Sequence, residues 1–208
     1  MGRITDIKPQ RRSGRVNIYI DEEFAVGVSD EERIRLGLKI GDEADAQTLS
    51  KLVIADNTRA AVNKALNLLK YRARTEKEIR QALERAGFDD TAADAAIEKL
   101  ERYGYVDDSA FADMYAGYAK SKGMSRRELN MRLTQKGIDR DEAERAAEAI
   151  SGEDERAAAY QLALKYYNKA KGELKQKRDK AAQALFRKGF EWDTIRSVLD
   201  EVTKDDCE

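Results

Sequence analysis

The sequence predicts a mainly α-helical fold, an elongated tandem repeat of three-helix units preceded by a small N-terminal β-hairpin element. Three observations lead to this class. Pro9 is the only proline, and the chain after residue 30 shows the apolar periodicity of helices. Three similar segments end at Gly87, Gly137 and Gly189, which recur about every 50 residues. Before residue 30, apolar and polar residues alternate as they do in half-buried strands.

Composition limits the chemistry of the chain. Its 208 residues are 41% apolar and 38% charged, enough for a core beneath an extensive charged surface. There is no histidine, so the commonest general base and zinc ligand are absent. The single cysteine, Cys207, cannot form a disulfide framework or a thiolate metal site. No stretch of about 18 apolar residues and no apolar leader occurs, so we expect a cytoplasmic protein without membrane contact.

Residues 1–55 are predicted to form the β element with one or two helices. The segments GRVNIYID and EFAVGV alternate, and RITDIK can supply a third strand. The residues expected on the inward faces are Val16, Ile18, Ile20, Phe24, Val26 and Val28. Ser29 and Glu32 make a capping box for a short helix that Gly37 ends.

The rest of the chain is predicted to contain three copies of one unit. The related segments are TEKEIRQALERAGF, SRRELNMRLTQKGI and QKRDKAAQALFRKGF, and each indicates a helix that ends at its glycine before a second helix. Thr75 with Glu78 and Ser125 with Glu128 are predicted capping boxes, which the third copy lacks. A periodic helix precedes each segment. The predicted units are residues 56–106, 107–153 and 154–208.

Charge follows the same repeat. In each unit the first two helices are net basic and the third is net acidic, although the net charge of the whole chain is only −1. Units stacked in one direction would carry a basic stripe and an acidic stripe. Alternatively, each acidic helix lies against the next basic one, which gives surface ion pairs of little energetic value. The sequence leaves both interpretations open.

The stretch Tyr105-Val106-Asp107-Asp108 joins the first two units. Two adjacent carboxylates on a hairpin could bind a metal ion, as in template-copying polymerases, but here both flanks are helical. The structural interpretation is favoured: one aspartate caps the next helix, and Tyr105 or Val106 packs against it.

These motifs, taken in order, resemble the RecX family, regulators of the bacterial recombinase RecA. LNLLKYRARTEKEIRQALERAGF is similar to the first repeat of the family, and RRELNMRLTQKGI to the second. YGYVDDSAFADMYAGYAKSKG is similar to a Gly-Tyr-hydrophobic-Asp-Asp signature followed by Phe-Ala-x-x-Tyr. The positions that carry the motifs are Arg72, Arg74, Thr75, Glu78, Ile79, Gly104, Tyr105, Val106, Asp107, Asp108, Phe111, Ala112 and Tyr115. The match is good over residues 57–150 and looser over 155–202.

The resemblance implies a non-catalytic protein that binds the RecA nucleoprotein filament and restrains its ATP hydrolysis, strand exchange and coprotease action in DNA repair and the SOS response. It implies no catalytic residue, no cofactor and no metal. We expect a monomer, and weak contact with single-stranded DNA stays open. The sign of the regulation is not given by the sequence.

Basic residues of the first two helices in each unit are the candidate contacts with RecA or phosphate. They are Lys70, Arg72, Arg74, Arg80, Arg126, Arg127, Arg132, Lys165, Lys169 and Lys175. For Arg72 and Arg74 a salt bridge to Glu78 or to the acidic third helix is the alternative. Tyr166 and Tyr167 could stack on bases or belong to the core. The residues assigned to structure are Gly87, Gly104, Tyr105, Asp107, Asp108, Phe111, Tyr115, Gly137 and Gly189.

Two other functions are considered. The first is a protein that binds DNA directly through its three-helix modules, although an acidic third helix would repel phosphate. The second is an enzyme with a metal ion at Asp107 and Asp108.

Overall fold

The computed structural model describes residues 1–10 and 14–205, which leaves Cys207 outside the described residues. The described chain is mainly α-helical, with a small antiparallel sheet at its N-terminal end, as predicted. It forms two compact units: Met1–Arg72 with Ile79–Tyr105, and Ala73–Glu78 with Val106–Glu208. The four parts predicted from the sequence remain a prediction about domain boundaries.

The sheet has the order β3-β2-β1-β4 and is antiparallel throughout. Its strands are β1 (Gly2–Pro9), β2 (Arg15–Ile20), β3 (Glu23–Ser29) and β4 (Glu43–Ala44). Asp21 and Glu22 join β2 to β3 with φ of 48° and 72°, the left-handed conformations that a two-residue hairpin turn requires. Val16, Ile18 and Ile20 are buried on one face of β2, as the alternation predicts.

The prediction of the inner face is wrong for one residue, Phe24. Phe24 is 61% exposed, whereas Val28 on the same strand is fully buried. The pairing of β2 with β3 shifts register between Ile18 and Tyr19, so the alternation in β3 does not continue in phase to Phe24. The Phe24 ring instead meets Tyr19 edge-on at 6.1 Å between centroids.

Two helices flank β4 in the chain. Helix α1 (Asp30–Arg35) starts with the predicted capping box of Ser29 and Glu32 and is followed by Gly37 at φ 69°. Helix α2 (Ala46–Leu69) begins at the N-cap Asp45 and continues without interruption past residue 55, where the sequence suggested a boundary. Its first half packs Leu49 and Val53 against the sheet.

Eight helices complete the described chain, and together with α2 they repeat a pattern of three. They are α3 (Glu76–Arg85), α4 (Asp90–Arg102), α5 (Asp108–Ser121), α6 (Arg126–Gln135), α7 (Arg140–Ala147), α8 (Gly152–Lys169), α9 (Leu174–Arg187) and α10 (Trp192–Asp205). Helices α5 to α7 enclose a core around Leu129 and Leu133. Helices α8 to α10 enclose another around Tyr167 and Leu185.

The repeated glycines end α3, α6 and α9 in the predicted manner. Gly87, Gly137 and Gly189 have φ of 93°, 96° and 82°, which L side chains adopt only with strain. The amide of the next residue, Phe88 for example, donates back to the leucine carbonyl four positions before the glycine, at 3.1–3.3 Å in the three copies. This is the Schellman arrangement, and it satisfies carbonyls that a helix end leaves without partners.

Candidate interaction surfaces

The aspartate pair at the start of α5 binds backbone amides. The Asp107 carboxylate is the N-cap of α5 and accepts the Ala110 N–H at 2.9 Å. The Asp108 carboxylate accepts the N–H of Glu76, in the first turn of α3, at 2.9 Å. One aspartate therefore caps its own helix and the other caps the start of a helix 32 residues earlier. Val106 is buried just ahead of them, whereas Tyr105 is 59% exposed.

The Asp108 carboxyl is partly buried and lies near other carboxylates. Burial raises the pKa of the Asp108 carboxyl above its usual value, the Glu76 N–H opposes that shift, and the nearby negative charges of Glu76 and Asp107 add to it. Within residues 1–10 and 14–205, no group of three or more histidine, cysteine or carboxylate side chains could hold a metal ion. The pair thus has the geometry of two helix caps.

Replacement of Asp108 by asparagine should raise stability at pH 7 relative to the unchanged chain. The amide oxygen of Asp108→Asn can still accept the Glu76 N–H, and a partly buried negative charge is removed. Folding raises the pKa of Asp108, so the native chain gains stability as the pH falls through that pKa, and the advantage of the variant should shrink towards about pH 4.

Asp107→Ala, which removes the cap of α5, should instead cost about 1 kcal/mol at pH 7. Urea unfolding between these pH values checks both; an Asp108→Asn variant less stable at pH 7 than at pH 4, relative to the unchanged chain, would contradict this account.

A contact that occurs twice joins equivalent helices of neighbouring repeats, and we call it the repeat junction. At the start of α3, the Thr75 hydroxyl accepts the Glu78 N–H and donates to the Lys136 carbonyl at 2.7 Å. At the start of α6, the Ser125 hydroxyl accepts the Glu128 N–H and donates to the Lys188 carbonyl, also at 2.7 Å. Each hydroxyl is completely buried. The start of one helix is thus bonded to the end of the equivalent helix in the next repeat.

Ion pairs reinforce each repeat junction. The Lys136 ammonium lies 2.6 Å from the Glu78 carboxylate, and the Lys188 ammonium lies 3.5 Å from Glu128. Glu128 was predicted to close a capping box with Ser125; the serine half of that cap is present, but the carboxylate bonds Arg132 at 2.6 Å and faces Lys188. A carboxylate used across the junction is not available to the N-cap backbone of its own helix.

The repeat junction explains why two of the glycines must lack a side chain. A Cβ on Gly137 would lie 2.5 Å from the Lys77 Cβ, and one on Gly189 would lie 2.8 Å from the Ser125 hydroxyl. A Cβ on Gly87 would meet nothing within 4 Å. There the Arg15 guanidinium of β2 donates to the Gly87 carbonyl at 3.3 Å, so the N-terminal element contacts the end of α3.

Three of the candidate basic residues are engaged by carboxylates. Arg80 pairs with Asp94 of the acidic helix α4, an ion pair that was not predicted from the sequence for this residue. Arg126 donates to the Ile150 carbonyl at 2.6 Å and lies 3.8 Å from Glu155. Hydrogen bonds to the Tyr115 hydroxyl and the Glu128 carboxylate raise the pKa of the Arg132 guanidinium. These three cations therefore make ion pairs within the chain.

Other candidates are more open to a partner. Arg127, Lys165, Lys169 and Lys175 are exposed, and within the described chain none of the four makes an ion pair or a side-chain hydrogen bond. Lys70, at the C-cap of α2, donates to the Asn67 side chain at 3.1 Å. The remaining two differ from these: Arg72 is exposed and Arg74 half-buried, and each has an interaction within the chain.

The aromatic candidates divide between core and surface. Tyr167 is 1% exposed and belongs to the core of α8 to α10, with the Lys177 ammonium 5.4 Å from its ring centroid. Tyr166 is half-buried against the same core. Phe111 is buried, and its ring stacks on Tyr115 with centroids 5.9 Å apart. Tyr118 is 48% exposed, and its ring lies 5.7 Å from that of Tyr115 and 5.7 Å from the Lys122 ammonium.

Some surface residues were not singled out from the sequence. Met131, Phe186 and Trp192 are each more than half exposed although they are large and apolar. A period of 3.6 does not place Phe186 inside, because Leu185 and Ala184 next to it hold the buried face. One feature of the sequence could have indicated this surface: the single tryptophan, Trp192, stands between the charged residues Glu191 and Asp193.

The fold and the repeat junctions define a tandem three-helix repeat protein with an N-terminal β element. None of the helices in the described part of the chain is both long and apolar enough to cross a bilayer. Four models of one family match in chain order: the regulatory protein RecX N-terminal domain at residues 2–45, and the first, second and third three-helix domains of RecX at 61–100, 107–146 and 153–199. The chain belongs to the RecX family.

Individual relatives agree over most of the chain. Regulatory protein RecX of Bacillus velezensis is 33% identical over 95% of this chain and 76% of its own length. That of Clostridium perfringens is 31% identical over 99% of both. A crystal structure of regulatory protein RecX superimposes with a TM-score of 0.69 at 27% identity, covering 96% of this chain and all of the other. RecX from Lactobacillus salivarius gives 0.65 at 27% identity, over 72% and 98%. The role of the chain is therefore that of a RecX regulatory protein.

Proposed function

We propose that this protein binds the RecA nucleoprotein filament and inhibits the ATPase, recombinase and coprotease activities of RecA, without catalysing a reaction itself. The observation that carries the proposal is the ordered match of all four RecX domains along one chain. On this proposal the protein acts as a monomer in the cytoplasm, in DNA repair and the SOS response, and requires no cofactor.

The repeat junctions support a polymeric target. Thr75 and Ser125 make the same bonds to Lys136 and Lys188, so successive repeats are joined through equivalent residues. A protein with repeated, similarly joined units can offer similar contacts to successive subunits of a filament. Weak contacts made together gain strength because each one raises the effective concentration of the next.

The exposed cations of the third repeat are the proposed electrostatic contacts. Lys165, Lys169 and Lys175 have no carboxylate partner in the part of the chain that the structure describes, so their charge is available to an acidic protein surface or to phosphate. The charge of Arg127 on α6 is available to such a partner for the same reason. Charges of this kind chiefly accelerate association and orient the partner, and their effect declines as salt is added.

The hydrolysis of ATP by RecA on single-stranded DNA, measured at rising amounts of this protein, tests the proposal. The rate should fall and reach a plateau at less than one chain per RecA subunit, because one chain with several repeats can contact more than one subunit. RecA without DNA provides the background rate. No change in the rate under conditions where the filament has formed would contradict the proposed function.

Direct action on DNA is the second candidate, and the exposed lysines are the observation that favours it. Mobility of labelled single-stranded and duplex oligonucleotides distinguishes the two functions. Filament regulation predicts at most a weak shift of bare single strands that salt abolishes. A tight, sequence-specific shift of bare duplex would favour direct DNA binding instead.

A further inference from the structure

The second compact unit exposes a group of large apolar side chains on its surface. Met131 on α6, Phe186 near the end of α9 and Trp192 at the start of α10 are 52%, 52% and 58% exposed. The Phe186 and Trp192 rings lie 5.8 Å apart between centroids and are inclined by 35°. Together we call these three residues the apolar platform. Exposing them costs free energy that a bound partner would recover.

A cavity of about 350 Å³ opens beside the apolar platform. Met131 and Phe186 line it, together with Tyr166 and Ala184. Its volume is at the lower end of the range for binding pockets, and it could take one or two protein side chains. The flexible thioether of Met131 allows the cavity to adapt to the side chain that enters.

Cations surround the cavity. Arg127, Arg187 and Lys188 line it, whereas Glu128 is its one acidic lining residue. The Glu128 carboxylate is already bonded to Arg132 at 2.6 Å and faces Lys188 at 3.5 Å. An entering group therefore meets apolar surface and net positive charge, which favours an apolar side chain with a carboxylate next to it.

Both the composition and the charge of this surface favour a protein over a nucleic acid. Tryptophan, methionine and arginine are the residues in which the centres of protein interfaces are enriched. Exposed Glu191 and Asp193 flank Trp192, and they would repel a strand that carries a phosphate at every nucleotide. A protein partner can position its few charges to avoid these two carboxylates.

We infer that the apolar platform and its cavity form a docking site for an apolar side chain that the protein partner presents beside an aspartate or glutamate. This inference rests on the proposed function, because the partner is taken to be a subunit of the RecA filament. The apolar part of the site adds a contact of short range and little salt dependence to the lysine contacts of the third repeat.

Fluorescence anisotropy can test the docking site directly. The sequence contains one cysteine, Cys207, so a thiol-reactive dye attaches at a single position. The labelled chain is titrated with RecA filaments on single-stranded DNA, and separately with the same DNA alone. Phe186→Ala and Trp192→Ala should each weaken filament binding about tenfold or more, as removal of central interface aromatics does. The loss should be similar at low and at moderate salt.

Leu174→Ala is the matched control. Leu174 is 53% exposed on the same helix as Phe186 but about 18 Å away along its axis, and its removal should leave binding unchanged. Unchanged filament binding by Phe186→Ala and Trp192→Ala would overturn the docking site while leaving the proposed function intact. Equal losses for bare DNA would also overturn it, since the surface would then be a nucleic-acid site. Absence of filament binding by the unchanged chain would overturn the proposed function and the inference together.

Discussion

Gly137→Ala should lower the free energy of unfolding by about 3 kcal/mol, whereas Gly87→Ala should lower it by only about 1 kcal/mol. Both positions have φ above 90°, so alanine pays the same conformational cost of about 1 kcal/mol at each. Only at Gly137 would the new Cβ also meet another side chain, 2.5 Å from the Lys77 Cβ. Relieving that overlap requires the start of α3 to move away, at a further cost of about 2 kcal/mol.

Urea unfolding of the two variants measures this difference, and Gly87→Ala is the internal control for backbone strain. Hydrogen exchange at the amide of Glu78 adds a local test, because that amide donates to the Thr75 hydroxyl at the repeat junction. It should exchange faster in Gly137→Ala and at an unchanged rate in Gly87→Ala. Equal destabilisation by the two substitutions would mean that the repeat junction contributes little to stability.

Reversing the charge of Lys165, Lys169 and Lys175 together should weaken filament binding at low salt by about tenfold or more. Each lysine is exposed and has no ionic partner in the described chain, so the substitution to glutamate breaks no internal contact. The change replaces attraction to an acidic surface or phosphate by repulsion. The loss should shrink as salt is raised, because salt screens exposed charges at distances beyond about 10 Å at 0.1 M.

A control with the same change in net charge separates a local effect from a general one. Lys51, Lys99 and Lys204 are also exposed, and none belongs to the proposed contact surface. Their joint reversal should reduce binding far less than that of the third-repeat lysines. Circular dichroism confirms that both triple variants remain folded. If the two triple variants lost affinity equally, the contact would depend on total charge and not on the third repeat.

The local features of the fold were predictable because a few neighbouring residues determine them. A glycine that follows an amphipathic segment and precedes an apolar residue forms a Schellman end, and all three predicted ends are present. Ser29 and Asp107 likewise cap the helices expected from their positions. Phe24 was misplaced because the shift in strand register that turns it outwards depends on pairing between two strands.

The features that the sequence did not reveal depend on contacts between distant segments. Thr75 was recognised as a cap, but its bond to Lys136 joins residues 61 positions apart. Either Asp107 or Asp108 was expected to cap α5; Asp107 does so, whereas Asp108 binds the amide of Glu76 in an earlier helix. Arg80 was predicted only as a contact with a partner, and the structure pairs it with Asp94 of α4.

Sedimentation of the protein with preassembled RecA filaments tests the central claim most directly. The protein is mixed with filaments on single-stranded DNA, with RecA alone and with the same DNA alone, at one salt concentration near physiological. The account predicts that the protein pellets with the filament, saturates below one chain per RecA subunit, and stays in the supernatant in the other two mixtures. Pelleting that is equally strong with DNA alone, or absent with the filament, would contradict it.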